Sequence, residues 1–149
     1  MGSGSLALDH SVKQRLIDEY YLPYRSKIKD VIQQLSPLVV HLSVHSFTPI
    51  WKGVPRTVDI GLLFDPTRSM EAQICEAMQK ILKQELPHLS VRLNEPYLGT
   101  DDGFTTYLRT QFSDSAYAGI EIEVSQALNE QSSRIATAII DSLRIAILR

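Results

Sequence analysis

Two stretches of this chain, Leu38–His45 and Tyr117–Val124, read as β-strands, because each is β-rich and alternates its side chains with a period of two. Residues two apart in a strand share a face. Val40, Leu42 and Val44 therefore point one way, and His41, Ser43 and His45 the other. In the second stretch Ile120, Ile122 and Val124 oppose Glu121, Glu123 and Ser125. A strand with one fully apolar row needs a layer packed on it. Both strands carry ionisable groups on the other side, where a carboxylate is costly unless it is paired, bound to a metal or solvated.

The segments between and around them supply the packing layer. Asp9 or Ser11 can cap a helix in which Val12, Leu16 and Ile17 recur at helical spacing. Pro23 interrupts it and opens, or kinks into, a second helical stretch with Tyr24, Ile28, Val31, Ile32 and Leu35 on one face, stopped by Pro37. The Pro49–Arg56 segment reads as a loop, and Thr57–Phe64 as a strand closed by Asp65-Pro66. Met70–Leu86 is a helix with an Ile74, Met78, Ile81, Leu82 stripe. Leu89–Leu93 is a short strand, a long loop through Gly103 follows, and Thr105–Phe112 is a helical turn or two. The last helix runs over Gln131–Leu148, with Ile135, Ile139, Leu143 and Ile145 or Ala146 facing the sheet. The order α-β-β-α-β-β-α predicts a three-layer α/β fold, with a mostly parallel or mixed sheet between flanking helices.

A length of 149 residues suits one domain, expected here over residues 8–149, with residues 1–7 (Met-Gly-Ser-Gly-Ser-Leu-Ala) as a flexible leader or expression scar. Formal net charge is -2 and no Lys/Arg run stands out, which speaks against a nucleic-acid partner. No apolar run is long enough to span a bilayer and the start lacks a signal-peptide pattern, so no membrane partner and a cytoplasmic location are expected. Cys75 is the single cysteine, which rules out an intrachain disulfide and a cysteine-based zinc site. Ile74 and Ala77 beside it predict a buried helix thiol.

Chemistry concentrates on three strings. His45 sits at the C-terminal end of its strand, where open α/β sheets bind ligands, and imidazole is a preferred zinc ligand. Glu121 and Glu123 share a face, and a carboxylate in such a place can act as general base and then general acid. Asp101-Asp-Gly-Phe-Thr-Thr-Tyr-Leu-Arg109 offers a turn, the hydroxyls of Thr105 and Thr106, and a guanidinium. Arg109 or Arg56 can grip a carboxylate in fork geometry. The competing reading of each is structural: a hydrogen-bonded histidine, a solvated sheet face, a surface ion pair.

Four strings, His41-Leu-Ser-Val-His-Ser-Phe-Thr-Pro49, Asp59-Ile-Gly-Leu-Leu-Phe-Asp-Pro66, Asp102-Gly-Phe-Thr-Thr-Tyr-Leu-Arg109 and Tyr117-Ala-Gly-Ile-Glu-Ile-Glu-Val124, resemble in this order the N-formylglutamate amidohydrolase family. Tyr20-Tyr-Leu-Pro-Tyr-Arg25 is similar too, so the resemblance runs from about Leu8 onward. That family is related to zinc carboxypeptidases and aspartoacylases. The resemblance implies a zinc carboxypeptidase-like (phosphorylase/hydrolase-like) fold and a zinc ion held by an early His and Glu and a later His. The later His lies in a Ser-x-His-Ser context, matched by Ser43-Val-His45-Ser46, which makes His45 the metal ligand and not His41. The catalytic Glu on a late strand matches Glu123 before Val124 better than Glu121.

The resemblance also implies an upstream segment bearing the first His and Glu, and no His-x-x-Glu pair occurs in this chain. The chain is therefore expected to be an N-terminally truncated amidohydrolase, inactive alone, with a self-associating homo-oligomer covering what the lost layer leaves bare. The implied reaction is zinc-dependent hydrolysis of the amide of a small N-acylated acidic amino acid. The alternative is a non-catalytic α/β module that binds a ligand or partner through the same cleft.

Overall fold

The computed structural model describes residues 9–35 and 37–148. The leader expected over residues 1–7 lies outside the described residues. Two compact units result, one ending at Leu35 and one beginning at Pro37. The first is helical: α1 (His10–Leu16), a π-helical turn (Ile17–Tyr21) and α2 (Leu22–Gln34). Pro23 stands in the first turn of α2. A proline there has no N–H to give back to the preceding turn, and a wider π turn is one way a helix accommodates the missing bond.

The second unit holds β1 (Val39–Phe47), β2 (Ile50–Trp51), β3 (Val54–Pro55), β4 (Ile60–Leu63), α3 (Ser69–Glu85), β5 (Val91–Leu93), α4 (Phe104–Gln111), β6 (Tyr117–Ser125), a 3-10 turn (Gln126–Gln131) and α5 (Ser132–Ile147). Four strands make one sheet in the order β1-β6-β4-β5. β1 runs parallel to β6 and β4 parallel to β5, whereas β4 and β6 are antiparallel. The expected mixed sheet flanked by helices is therefore the observed one.

The apolar rows of the strands are in register. Ile60 and Leu62 of β4 pair with Val124 and Ile122 of β6, and Leu42 of β1 pairs with Ile120. Ile74, Cys75, Met78 and Leu82 from α3 and Ile135 and Ile139 from α5 join Ile60, Leu62, Ile120 and Ile122 in one core cluster. Each such side chain contributes about 1.5–3 kcal/mol on full burial. Cys75 lies fully buried in α3, as its neighbours predict, and burial pushes its thiol far above the usual range.

Sequence reading took Pro49–Arg56 as a plain loop, but the segment folds into the β2–β3 hairpin. Its two-residue turn, Lys52 and Gly53, has positive φ at both positions (51° and 80°), the pattern that matches strand twist. Another close approach fixes the loop after β5. A Cβ on Gly61 would lie 2.0 Å from the Glu95 carbonyl oxygen, so that strand position must be bare. Asn94 Oδ1 ties the same loop to β4, accepting from Phe64 N (2.9 Å) and Gly99 N (3.1 Å).

Candidate active site

The polar rows of β1 and β6 merge. In the parallel ladder His45 stands beside Glu123, Ser43 beside Glu121, and His41 beside Gly119. The two polar faces read separately from sequence are one surface, on the side of the sheet opposite the α3–α5 core. Ser43, His45, Glu121 and Glu123 line a cleft of about 250 Å³, closed on another side by Asp102, Gly103 and Phe104 at the start of α4.

Within it the residues differ in freedom. Ser43 Oγ and His45 Nε2 are 2.8 Å apart, and His45 is otherwise exposed. Thr105, itself buried, donates its hydroxyl to Glu121 Oε1. His41 Nδ1 is 2.8 Å from the Tyr117 hydroxyl, and Phe104 meets its ring edge-on at 6.2 Å. Burial lowers the His41 pKa, against the opposing pull of the Glu121 charge. Glu123 is only 8% exposed, yet its Oε2 has no hydrogen-bond partner. Burial pushes its pKa above the usual carboxylate range; the His45 charge works against that rise, Glu121 adds to it, and Arg56 opposes it. A buried, unpartnered carboxylate oxygen beside an imidazole is a group held ready to take a proton.

The two arginines are placed very differently. Arg109 Nε meets both oxygens of Glu71 at 3.1 Å, and its Nη atoms donate to Gly99 O, Thr106 Oγ1 (3.3 Å) and Gly119 O (2.7 Å). Glu71 is fully buried and also accepts from Gly119 N (2.9 Å) and Asp65 N (3.0 Å). Thr106 spends its hydroxyl proton on Asp101 O (2.7 Å). Arg109, Thr105 and Thr106 thus aim their polar atoms at the protein, where they fix α4 against β6.

Arg56 is half-buried and has no carboxylate within ion-pair distance among the described residues. Its guanidinium lies over Phe47 (5.2 Å), Trp51 (5.4 Å) and Tyr97 (5.1 Å), and donates to Tyr97 Oη (3.0 Å) and more weakly to Thr48 O (3.4 Å). Three rings hold the fork in place and leave donors over for a ligand.

Sequence reasoning missed Glu71, Arg68 and Tyr117. A periodic signal for Glu71 exists: it lies three residues before Ile74 and seven before Met78, on the apolar stripe of α3. A carboxylate in that stripe has to find a buried cation.

The N-formylglutamate amidohydrolase family model matches residues 4–129. A comparison with curated proteins gives no match. Among solved structures, gene product Atu2144 from Agrobacterium tumefaciens is similar, with 28% identity and a TM-score of 0.73. The alignment covers 95% of this chain and 56% of that one, so this chain spans little more than half the length of its structural neighbour.

Proposed function

Because the chain belongs to the N-formylglutamate amidohydrolase family, we propose that the β1–β6 cleft is the proton-transfer and carboxylate-binding part of an amidohydrolase site. One observation carries this reading: His45 and Glu123 are ladder partners at the C-terminal end of two parallel strands, and Glu123 Oε2 is buried with nothing bonded to it. In the proposed reaction Glu123 takes a proton from the water that attacks the amide carbonyl carbon. It then gives that proton to the departing amide nitrogen as the C–N bond breaks, leaving a carboxylic acid and a free amine. Arg56 grips the carboxylate of an N-acylated acidic amino acid. Arg109 and Thr105 act at one remove, by holding α4 and Glu121 in place.

Zinc is the family's expected cofactor, and when bound it would polarise the carbonyl and acidify water. Among the described residues no group of three or more His, Cys, Asp or Glu is arranged to hold a metal ion. These donors therefore fall short of a catalytic zinc site, which needs three protein ligands, and no step above is routed through the metal. His45 is the donor we assign to it, because its ring is exposed while His41 is tied to Tyr117.

A lone imidazole binds zinc only weakly, so titration of the chain with zinc in large excess, followed through its imidazole NMR signals, tests the assignment. The His45 resonances are expected to shift and those of His41 to stay. In His45→Ala the response should vanish, and in His41→Ala it should persist. Equal responses at both rings, or none at His45, would sink His45 as ligand.

A further inference from the structure

Charge is segregated around the cleft. Its walls hold the carboxylates of Asp102, Glu121 and Glu123, whereas the β2–β3 hairpin brings cations. Arg56 follows directly on the hairpin, and its charge is felt at Glu123. Trp51 and Val54 close the hairpin as a cross-strand pair, and Arg56 N donates to Pro49 O (2.8 Å), which carries the ladder on to Arg56. Arg56 lies two residues past Val54 and so shares its face, which is also the face of Trp51. Lys52, the first turn residue, folds back over the same indole. Arg56 Cζ is 5.4 Å from the Trp51 ring centroid and Lys52 Nζ is 5.8 Å from it, both inside the range where a ring attracts a cation. Sharing one ring keeps the two positive charges within reach of a single small ligand.

Two cations gathered on one ring suit a ligand with two anionic groups. We propose that Lys52 is a specificity residue, whose ammonium takes the second carboxylate of a substrate that Arg56 holds by the first. This rests on the carboxylate-binding role proposed for Arg56. The two cations contribute differently. Arg56 presents a planar fork, set in place by three rings and the Tyr97 hydroxyl, and so anchors the ligand. Lys52 presents a point charge on a flexible stem with three donors, and so adds discrimination between ligands of different charge. The cleft's own carboxylates repel both anionic groups. A dicarboxylate therefore enters with its amide toward Glu123 and both carboxylates toward the hairpin. Lys52 favours an N-acylated dicarboxylic amino acid over the same molecule with one carboxylate neutralised.

Trp51 is the single tryptophan of the chain, so intrinsic fluorescence reports on this hairpin alone. Titrating the full chain with N-acetylglutamate and with N-acetylglutamine compares two ligands that differ in one carboxylate. N-acetylglutamate is expected to bind about two- to fivefold tighter, the range for one exposed ion pair. Added salt should shrink that preference. Lys52→Asn should abolish it, with little change in the N-acetylglutamine midpoint. The hairpin survives this substitution, because Asn-Gly is a favoured pair for a turn with positive φ at both positions. Lys52→Arg, which keeps the charge, should keep the preference. Arg56→Gln should weaken both ligands. Equal binding of the two ligands by the unmodified chain, or a preference that survives Lys52→Asn, would overturn the role of Lys52 and leave that of Arg56 standing. Unchanged binding of both ligands by Arg56→Gln would overturn the role of Arg56 itself. A Trp51 signal that responds to neither ligand would overturn both.

Discussion

Replacing Glu71 with alanine is expected to destabilise the sheet unit by about 3–5 kcal/mol, the usual cost of leaving a buried charge without its partner. The side chain is fully buried, and it neutralises Arg109, whose side chain is 6% exposed, and Arg68 at 3.2 Å. It also caps two backbone N–H groups, at Gly119 and Asp65. Loss of the carboxylate leaves all four donors facing low-dielectric protein. For a domain whose total stability is about 5–15 kcal/mol, this removes a large part of what holds it folded. Glu71→Gln keeps an acceptor but not the charge and should fall between. Urea unfolding of the three proteins measures it. A loss under about 1 kcal/mol, the scale of exposed ion pairs, would mean that the network is wetter than its burial indicates.

The second large effect concerns turnover. On the proposed reading, and in a form of the protein that also carries the first His and Glu the family resemblance implies, Glu123→Gln is expected to lower kcat for N-formylglutamate by about 10²–10⁴, the range lost with a general acid–base group. Any zinc that form binds should be retained, because the amide changes proton transfer and leaves His45, the proposed ligand, untouched. Glu121→Gln should cost far less, since Glu121 already accepts a hydrogen bond from Thr105. If Glu121→Gln carries the larger loss, the base sits one face-repeat earlier on β6.

Much of the sheet was legible because period-two alternation is a local signal. Leu38–His45 and Tyr117–Val124 become β1 and β6 with their ends displaced by two residues or fewer, and the α3 stripe lands in the core. Pairing is not local. No single strand carries the information that Ser43 faces Glu121 and His45 faces Glu123, so the cleft could be named only as two separate polar faces. The arginines were ambiguous for a related reason. Arg109 and Arg56 look alike in sequence, and what separates them is a carboxylate 38 residues from Arg109 and three rings gathered around Arg56. The β2–β3 hairpin was missed because Pro49 and Pro55 read as loop punctuation, although Lys52-Gly53 carries the turn.

The account turns on Glu123 being a buried base beside His45, and its ionisation can be followed directly by carbon NMR of its carboxyl. The folded pKa should lie above the ordinary glutamate value of about 4.3, raised by burial. His45→Ala should raise it further, because the charge that opposes the rise is gone. The same shift has a sign in stability. Protonated Glu123 favours the folded state, so its contribution is fully present below the unfolded pKa and is lost as pH rises through the folded one. Glu123→Gln should therefore gain on the unmodified protein over that window. A Glu123 that titrates at the ordinary value and ignores His45→Ala would contradict the account.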